Sequence, residues 1–420
     1  MKAYNEERPR VVITGLGAIT PLGDSVTQLW KGLLEGKSGI RRITQFDASD
    51  LPCQIAGEIP DFNPEDFFDR KIARRFSRSA QIALASAVQA VSDAQLPNTL
   101  PNPERAGVLF GTAIGGLDAA DDGIQRFRAK GLSRVNPFTL PSSLPNIAAF
   151  FIAQHFQCLG PNSTITTACA AGTQSIGEAT EYIRRGVVDV VITGGTESVI
   201  RDFSFAGFSA MRALPVNFND KPEAASRPFD AKREGFIFSE GAAALVLENL
   251  EHALARKASI YAEIVGHSSS ADGYHIAAPD PNAKGAIRAI RWVLQDAGIS
   301  PNDIDYINAH GTSTPLNDPT ETQAIKTVFG EHAYRLAVSS TKSMLGHALG
   351  ASGSIEALAC ALTITHGTIP PTINYEYPDP DCDLDYVPNQ PRAKNVDYAL
   401  SNSLGLGGQN ACLILKRFQE

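Results

Sequence analysis

The chain has 420 residues, enough for a large buried core and for more than one domain. Its composition, 43% hydrophobic and 20% charged, is that of a soluble globular protein. A net charge of −8 excludes global attraction to nucleic acid or to an anionic membrane surface, and no apolar run reaches the roughly 18 residues of a membrane span.

The opening MKAYNEERPR carries acidic side chains and no apolar stretch, so no secretory leader is expected. Short β-branched runs then alternate with helix-like segments, the pattern of an α/β protein around a buried sheet. Strands are expected at residues 10–17, 106–113, 163–167, 189–195, 243–249, 259–267, 305–311, 396–402 and 411–418. Helices are expected at 79–93, 170–185, 283–297, 320–329 and 350–366. One order of events occurs twice, around Cys169 and around His347: strand, reactive-looking residue, small residues, helix, then a further strand with a glycine run. Two similar halves, 1–255 and 256–420, are expected from that echo.

The six cysteines, Cys53, Cys158, Cys169, Cys360, Cys382 and Cys412, have no CxxC spacing. Free thiols in a reducing, cytoplasmic compartment and no zinc site are expected. Charge is distributed unevenly. From Val135 to Gly177 there is no Asp, Glu, Lys or Arg, so this segment should be buried in the fold or at a subunit interface. From Leu336 to Tyr375 the only formal charges are Lys342 and Glu356. Charges isolated in this way are costly to bury unpaired, so the two should be partnered, functional, or both.

Three residues could carry chemistry. Cys169, in TTACAAGTQS, follows a strand and precedes a helix; there the helix dipole and free N–H groups would favour thiolate over thiol. Its small neighbours would let a bulky substrate approach. The plainer reading is a buried structural cysteine. His310, in NAHGTSTPLND, and His347, in STKSMLGHALGASGS, each stand at the end of an expected strand, where α/β folds place their sites. A lone loop histidine is usually structural, but a Cys with two His suits covalent acyl transfer. With the thiol already activated, both imidazoles could donate to an oxygen where negative charge develops. The turn SNSLGLGGQN could offer a backbone N–H to an oxyanion or be only a tight turn. It lacks the context of a dinucleotide-binding loop. In DRKIARRFSRS, five bases could form a solvated face or dock an acidic partner.

Together, the motifs TTACAAGTQSIGEA, GFSAMRAL, RPFDAKREGFIFSEGAAALVLE, NAHGTSTPLND, SSTKSMLGHALGASG and IPPTINY resemble those of the β-ketoacyl-[acyl-carrier-protein] synthases of the thiolase superfamily, over essentially the whole chain. The resemblance implies a duplicated five-layered α-β-α-β-α fold with two mixed sheets, acting as a homodimer with acyl carrier protein. It implies decarboxylative condensation of a malonyl thioester with an acyl group held on Cys169. His310 and His347 would bind the malonyl carbonyl, and the N–H groups of Cys169 and Leu406 would form the oxyanion hole. Lys342 and Glu356 match the family's buried pair, expected to orient His347. Thr312 and Thr314 match contacts to the phosphopantetheine arm, Ile114 and Phe208 the acyl pocket, and Lys71, Arg74, Arg75 and Arg212 the carrier-docking surface. No metal or cofactor of the enzyme's own is implied, since the phosphopantetheine arrives on the carrier.

The chain departs from the family pattern at Leu404 and Leu406, where phenylalanines are usual, at Gln409, and at Ala277 and Ala278, where hydroxyl residues are common. A wider acyl gate is expected, which keeps a polyketide-type ketosynthase as the nearest alternative. A non-catalytic chain-length partner would lack Cys169, and a thiolase would carry a second cysteine in the glycine turn.

Overall fold

The computed structural model describes residues 8–419; the reading of the first seven residues lies outside them. The chain builds ten main strands. The first five are β1 (Val11–Ile19), β2 (Ala106–Gly111), β3 (Asn162–Ile165), β4 (Val190–Glu197) and β5 (Gly241–Asn249). The second five are β6 (Ala262–Ala271), β7 (Tyr306–Asn308), β8 (Ala337–Ser339), β9 (Tyr398–Gly405) and β10 (Gln409–Lys416). Continuous apolar runs such as β4 and β5 are buried along their length, as strands covered on both faces must be.

The spatial order is β8-β7-β9-β10-β6-β1-β5-β4-β2-β3. Within the first group, β3–β2 and β2–β4 pair parallel, β4–β5 and β5–β1 antiparallel. Within the second, β8–β7 and β7–β9 pair parallel, β9–β10 and β10–β6 antiparallel. Numbered within its own group, each therefore follows the order third, second, fourth, fifth, first. The two mixed sheets are joined where β1 meets β6 antiparallel through Val12↔Glu263 and Ile13↔Ala262, so hydrogen bonding runs across all ten strands.

Helices complete five layers. α1 (Arg78–Asp93) and α2 (Ile147–Phe156) cover the outer face of the first group. α3 (Ala171–Arg184) and α6 (Ser352–His366) lie between the groups, and α4 (Lys284–Ala297) with α5 (Asn317–Phe329) covers the second. α5 starts three residues before the expected position because Pro319 falls in its first turn, where a missing N–H costs nothing. α2, IAAFFIAQHF, was not expected: it is apolar on almost every side and shows no amphipathic period.

The charge-free segment has two fates. Ala148, Ala149, Phe151, Ile152 and Phe156 are buried, whereas Phe138, Leu140, Leu144, Phe150 and Leu159 are exposed; β3, which follows them, is an edge strand. All six cysteines are free and buried. Among the described residues, no helix is long and apolar enough to cross a membrane.

Candidate active site

β3 ends at Ile165, and the chain makes one tight turn, Ala168–Ala170, before α3 begins at Ala171. Ala168 adopts φ 49°, a left-handed conformation costly for a residue with a Cβ. That turn presents Cys169, which is only 4% exposed. The glycine turn between β9 and β10 closes on it: a Cβ at Gly405 would stand 2.9 Å from the Thr167 carbonyl oxygen. Only glycine lets Leu406 come this near, and the backbone N–H groups of Leu406 and Cys169 both bear on the sulfur.

The histidines arrive from the second half. His310 follows β7, and its N–H and that of Gly311 donate to the buried Glu321 at 2.7 and 2.8 Å. His347 follows the short helix Lys342–Leu345 through Gly346 at φ 73°. Its backbone N–H donates to Ile237 at 2.7 Å. Its Nε2 stands 3.0 Å from Cys169 Sγ, and its Nδ1 2.8 Å from Ser352 Oγ. The two rings lie nearly perpendicular, with centroids 5.2 Å apart.

Lys342 and Glu356 form a buried ion pair. The lysine Nζ also lies 3.3 Å from His310 Nδ1. This corrects the expectation that the pair orients His347: it holds His310, and Ser352 holds His347. An ammonium can only donate, so His310 Nδ1 accepts and Nε2 carries the hydrogen. Burial, followed by the Lys342 charge, holds both imidazoles well below the usual histidine range, so both are neutral at physiological pH.

The thiol does not behave as its place before a helix suggests. Burial pushes Cys169 up to about 11, outweighing the Leu406 N–H and the Lys342 charge, which pull it down. The resting group is a thiol. A neutral imidazole at hydrogen-bond distance supplies the base that the helix end does not.

Cys169 Sγ and the histidine nitrogens lie within 4.8 Å of one another, a set whose donor types suit zinc. The Lys342 ammonium beside His310 works against a second cation there.

A cleft of about 350 Å³ leads to the three residues. Thr312, Thr314, Phe208, Arg212, Leu404 and Leu406 line it, as do Ala277 and Ala278. Thr312 and Thr314 share a 3.0 Å hydroxyl contact. Ile114 stands behind the cleft, in one apolar cluster with Cys169, Phe208 and Phe238. Lys71, Arg74 and Arg75 are exposed on and just after the short helix Arg70–Ala73, with the Arg75 guanidinium over the Phe138 ring. Arg78 turns inward instead, onto the buried Glu240. The sequence reading passed over Ser352, Glu321 and Glu197. A carboxylate inside an apolar strand run, as in VVITGGTE, was the available signal for Glu197.

Residues 8–253 match the Beta-ketoacyl synthase, N-terminal domain, and residues 261–376 the Beta-ketoacyl synthase, C-terminal domain. The chain is 51% identical to a Synechocystis 3-oxoacyl-[acyl-carrier-protein] synthase 2, covering 99% of this chain and 100% of that one. It is 48% identical to a protein of the same name from Coxiella burnetii, over 98% and 99%. Among solved structures, it superposes with a TM-score of 0.91 on a beta-ketoacyl synthase from Burkholderia phymatum, 34% identical over 98% and 100% of the chains. It also superposes with a TM-score of 0.91 on a type II polyketide synthase structure in which a ketosynthase bound to the hexaketide is in complex with its acyl carrier protein, 35% identical over the same shares. A Cys–His–His pocket built by both halves, on this topology and with these relatives, leaves one assignment: the chain belongs to the β-ketoacyl synthase family.

Proposed function

We propose that the chain is a 3-oxoacyl-[acyl-carrier-protein] synthase that lengthens a fatty acyl chain by two carbons. The observation that carries this reading is the 3.0 Å contact between His347 Nε2 and Cys169 Sγ, with His310 opposite in the same pocket.

In the first half-reaction His347 Nε2 takes the Cys169 proton, and the sulfur attacks the acyl thioester brought by the carrier. The oxyanion meets the N–H groups of Cys169 and Leu406; one such donor is worth about 3–4 kcal/mol. Collapse expels the pantetheine thiolate, which takes the proton back from His347. In the second half-reaction the malonyl thioester carbonyl lies against His310 Nε2–H. Loss of CO₂ leaves its electron pair as an enolate held by that donor. His347 adds a second donor when the Ser352 hydroxyl donates to Nδ1, which places the remaining hydrogen on Nε2. The enolate carbon attacks the acyl carbonyl, the carbon–sulfur bond to Cys169 breaks, and the departing Cys169 thiolate takes up one proton from solvent, the one proton that decarboxylative condensation consumes. The product is a 3-oxoacyl carrier thioester. Thr312 and Thr314 are assigned to the pantetheine arm, Ile114, Phe208 and Leu404 to the acyl chain, and Lys71, Arg74, Arg75 and Arg212 to the acidic carrier. The catalytic halves divide as 1–255 and 256–420, one supplying the nucleophile and the other both histidines. No metal or cofactor of the enzyme's own takes part, and the carrier meets it in the cytoplasm.

The test is incubation with acyl carrier thioesters of graded length and malonyl carrier thioester, following CO₂ release and 3-oxoacyl product. Absence of condensation at every length sinks the reading.

A polyketide-type reading draws on Leu404 and Leu406, which line the cleft where a larger gate is usual in the family. Leu406→Phe is expected to shorten the preferred acyl chain by a two-carbon step. Two methylenes at about 0.8 kcal/mol each shift the ratio of kcat/KM between adjacent lengths roughly tenfold. An unchanged length profile refutes the gate.

A homodimer fits the uncharged exposed residues Phe138, Leu140, Leu144 and Leu159 and the open edge of β3, since such a surface is rarely left to water. Leu140→Asp is expected to raise the dimer dissociation constant at least tenfold by analytical ultracentrifugation. A wild type that sediments as a monomer at micromolar concentration removes the dimer.

A further inference from the structure

Glu197 closes β4 fully buried, and no step above uses it. Its carboxylate accepts the N–H of Ala113 at 2.7 Å, those of Ile114 and Gly115 at 3.3 Å each, and the Thr112 hydroxyl at 3.1 Å. It also accepts the N–H of Gly350 at 3.2 Å. The first four donors belong to the loop after β2, in the half that holds Cys169. The last lies three residues past His347, in the other half. The two segments touch so closely that a Cβ at Gly350 would stand 2.4 Å from the Ala113 nitrogen. Ile114, itself one of these donors, and Leu349, next to Gly350, pack in the apolar cluster that contains Cys169 and Phe208.

A backbone carbonyl could satisfy one or two such donors. Five donors converging from two separate segments need a carboxylate, with its roughly four lone-pair sites. We propose that Glu197 is a positioning residue of the condensing site, holding the Ile114 loop and the Gly350 turn in one register so that the acyl end of the pocket and His347 keep a fixed relation to Cys169. Burial pushes Glu197 up to about 7, so its charge is full only above neutrality; where present, it opposes the Cys169 thiolate, in keeping with a site that relies on His347 rather than on a preformed thiolate.

The proposal rests on the acyl-thioester reading for its kinetic consequence but not for its chemical one. Glu197→Gln keeps the shape, removes the charge and turns an amide N–H₂ toward backbone donors. It is expected to lower kcat/KM for long acyl carrier thioesters roughly ten- to hundredfold more than for short ones. It is also expected to speed alkylation of Cys169 by iodoacetamide at pH 8, because the opposing charge is gone. Thr112→Val, a milder variant that removes one donor and leaves the charge, is expected to repeat the length effect in weaker form with alkylation unchanged. A loss equal at all chain lengths, in step with a lowered Tm, assigns Glu197 a purely structural role and overturns the proposal. Wild-type length dependence in soluble, folded Glu197→Gln overturns it as well. The alkylation arm needs no carrier and no condensation, so it reads the Glu197–Cys169 relation even if the proposed reaction is wrong.

Discussion

Replacing His347 by alanine is expected to slow acylation of Cys169 by about 10³-fold at pH 7 and to make the residual rate climb with pH. The argument starts from the thiol. At about 11, only about 10⁻⁴ of Cys169 is ionised at pH 7, so the nucleophile must be made during each turnover. The base at hand is His347 Nε2, 3.0 Å away and neutral because burial and the Lys342 charge disfavour its cation. A positioned base contributes typically 10²–10⁴-fold. Without it, acylation follows the spontaneous thiolate fraction, which rises about tenfold per pH unit until the thiol itself titrates. In the wild type the same dependence should be shallow near neutrality. Acyl-enzyme formation by mass spectrometry, from pH 6.5 to 9.5 in both proteins, checks this. A flat profile in His347→Ala would show that Cys169 is already ionised and that His347 is only a donor in the second half-reaction.

That experiment separates two views of one residue, and the difference marks what a linear sequence can carry. Cys169 before a helix, with two histidines at strand ends, was legible because residue type and local context suffice to place them. The ion pair was legible for a different reason: Lys342 and Glu356 stand alone in a long uncharged stretch, so burial costs alone predict that they meet. The direction of the thiol's titration was not. It depends on whether desolvation or the helix end wins, and burial of the thiol comes from residues remote in sequence, such as Phe208, Phe238 and Leu349, which share one apolar cluster with Cys169 only after folding. The partner of Lys342 was likewise hidden. The short helix Lys342–Leu345 turns the ammonium toward His310, although His347 is the nearer histidine in sequence. For the fold, strands declared themselves by β-branched runs, while their edges, set by pairing with neighbours remote in sequence, shifted by a few residues, as at Ala262–Ala271. α2 escaped because a helix that is apolar all round carries no period to read. Glu197 was visible as a charge in a strand, but its significance lies in two backbone segments that no motif connects.

The ion pair supplies the second large effect. Lys342→Met keeps the volume and strands Glu356 in the core without its cation. Breaking a buried pair from one side costs about 3–5 kcal/mol. Burial already raises Glu356 to about 7, against 4.5 for an ordinary glutamate, with the Lys342 charge opposing; without lysine it must rise further. A folded state that holds its proton to higher pH than the unfolded chain loses stability as pH increases from about 4.5 through the folded pKa. The variant's deficit, measured by urea denaturation, should therefore be smaller at pH 6 than at pH 8.5. Adding Glu356→Gln removes the stranded charge and should restore most of the stability, yet condensation should stay low in the double variant. His310 then has no cation on Nδ1, so nothing fixes its hydrogen on Nε2 where the malonyl carbonyl needs it. Recovery of both stability and condensation together would show that the lysine serves only to neutralise Glu356. Recovery of stability alone assigns Lys342 to the orientation of His310, and separates the part of the buried pair that holds the fold from the part that prepares the donor.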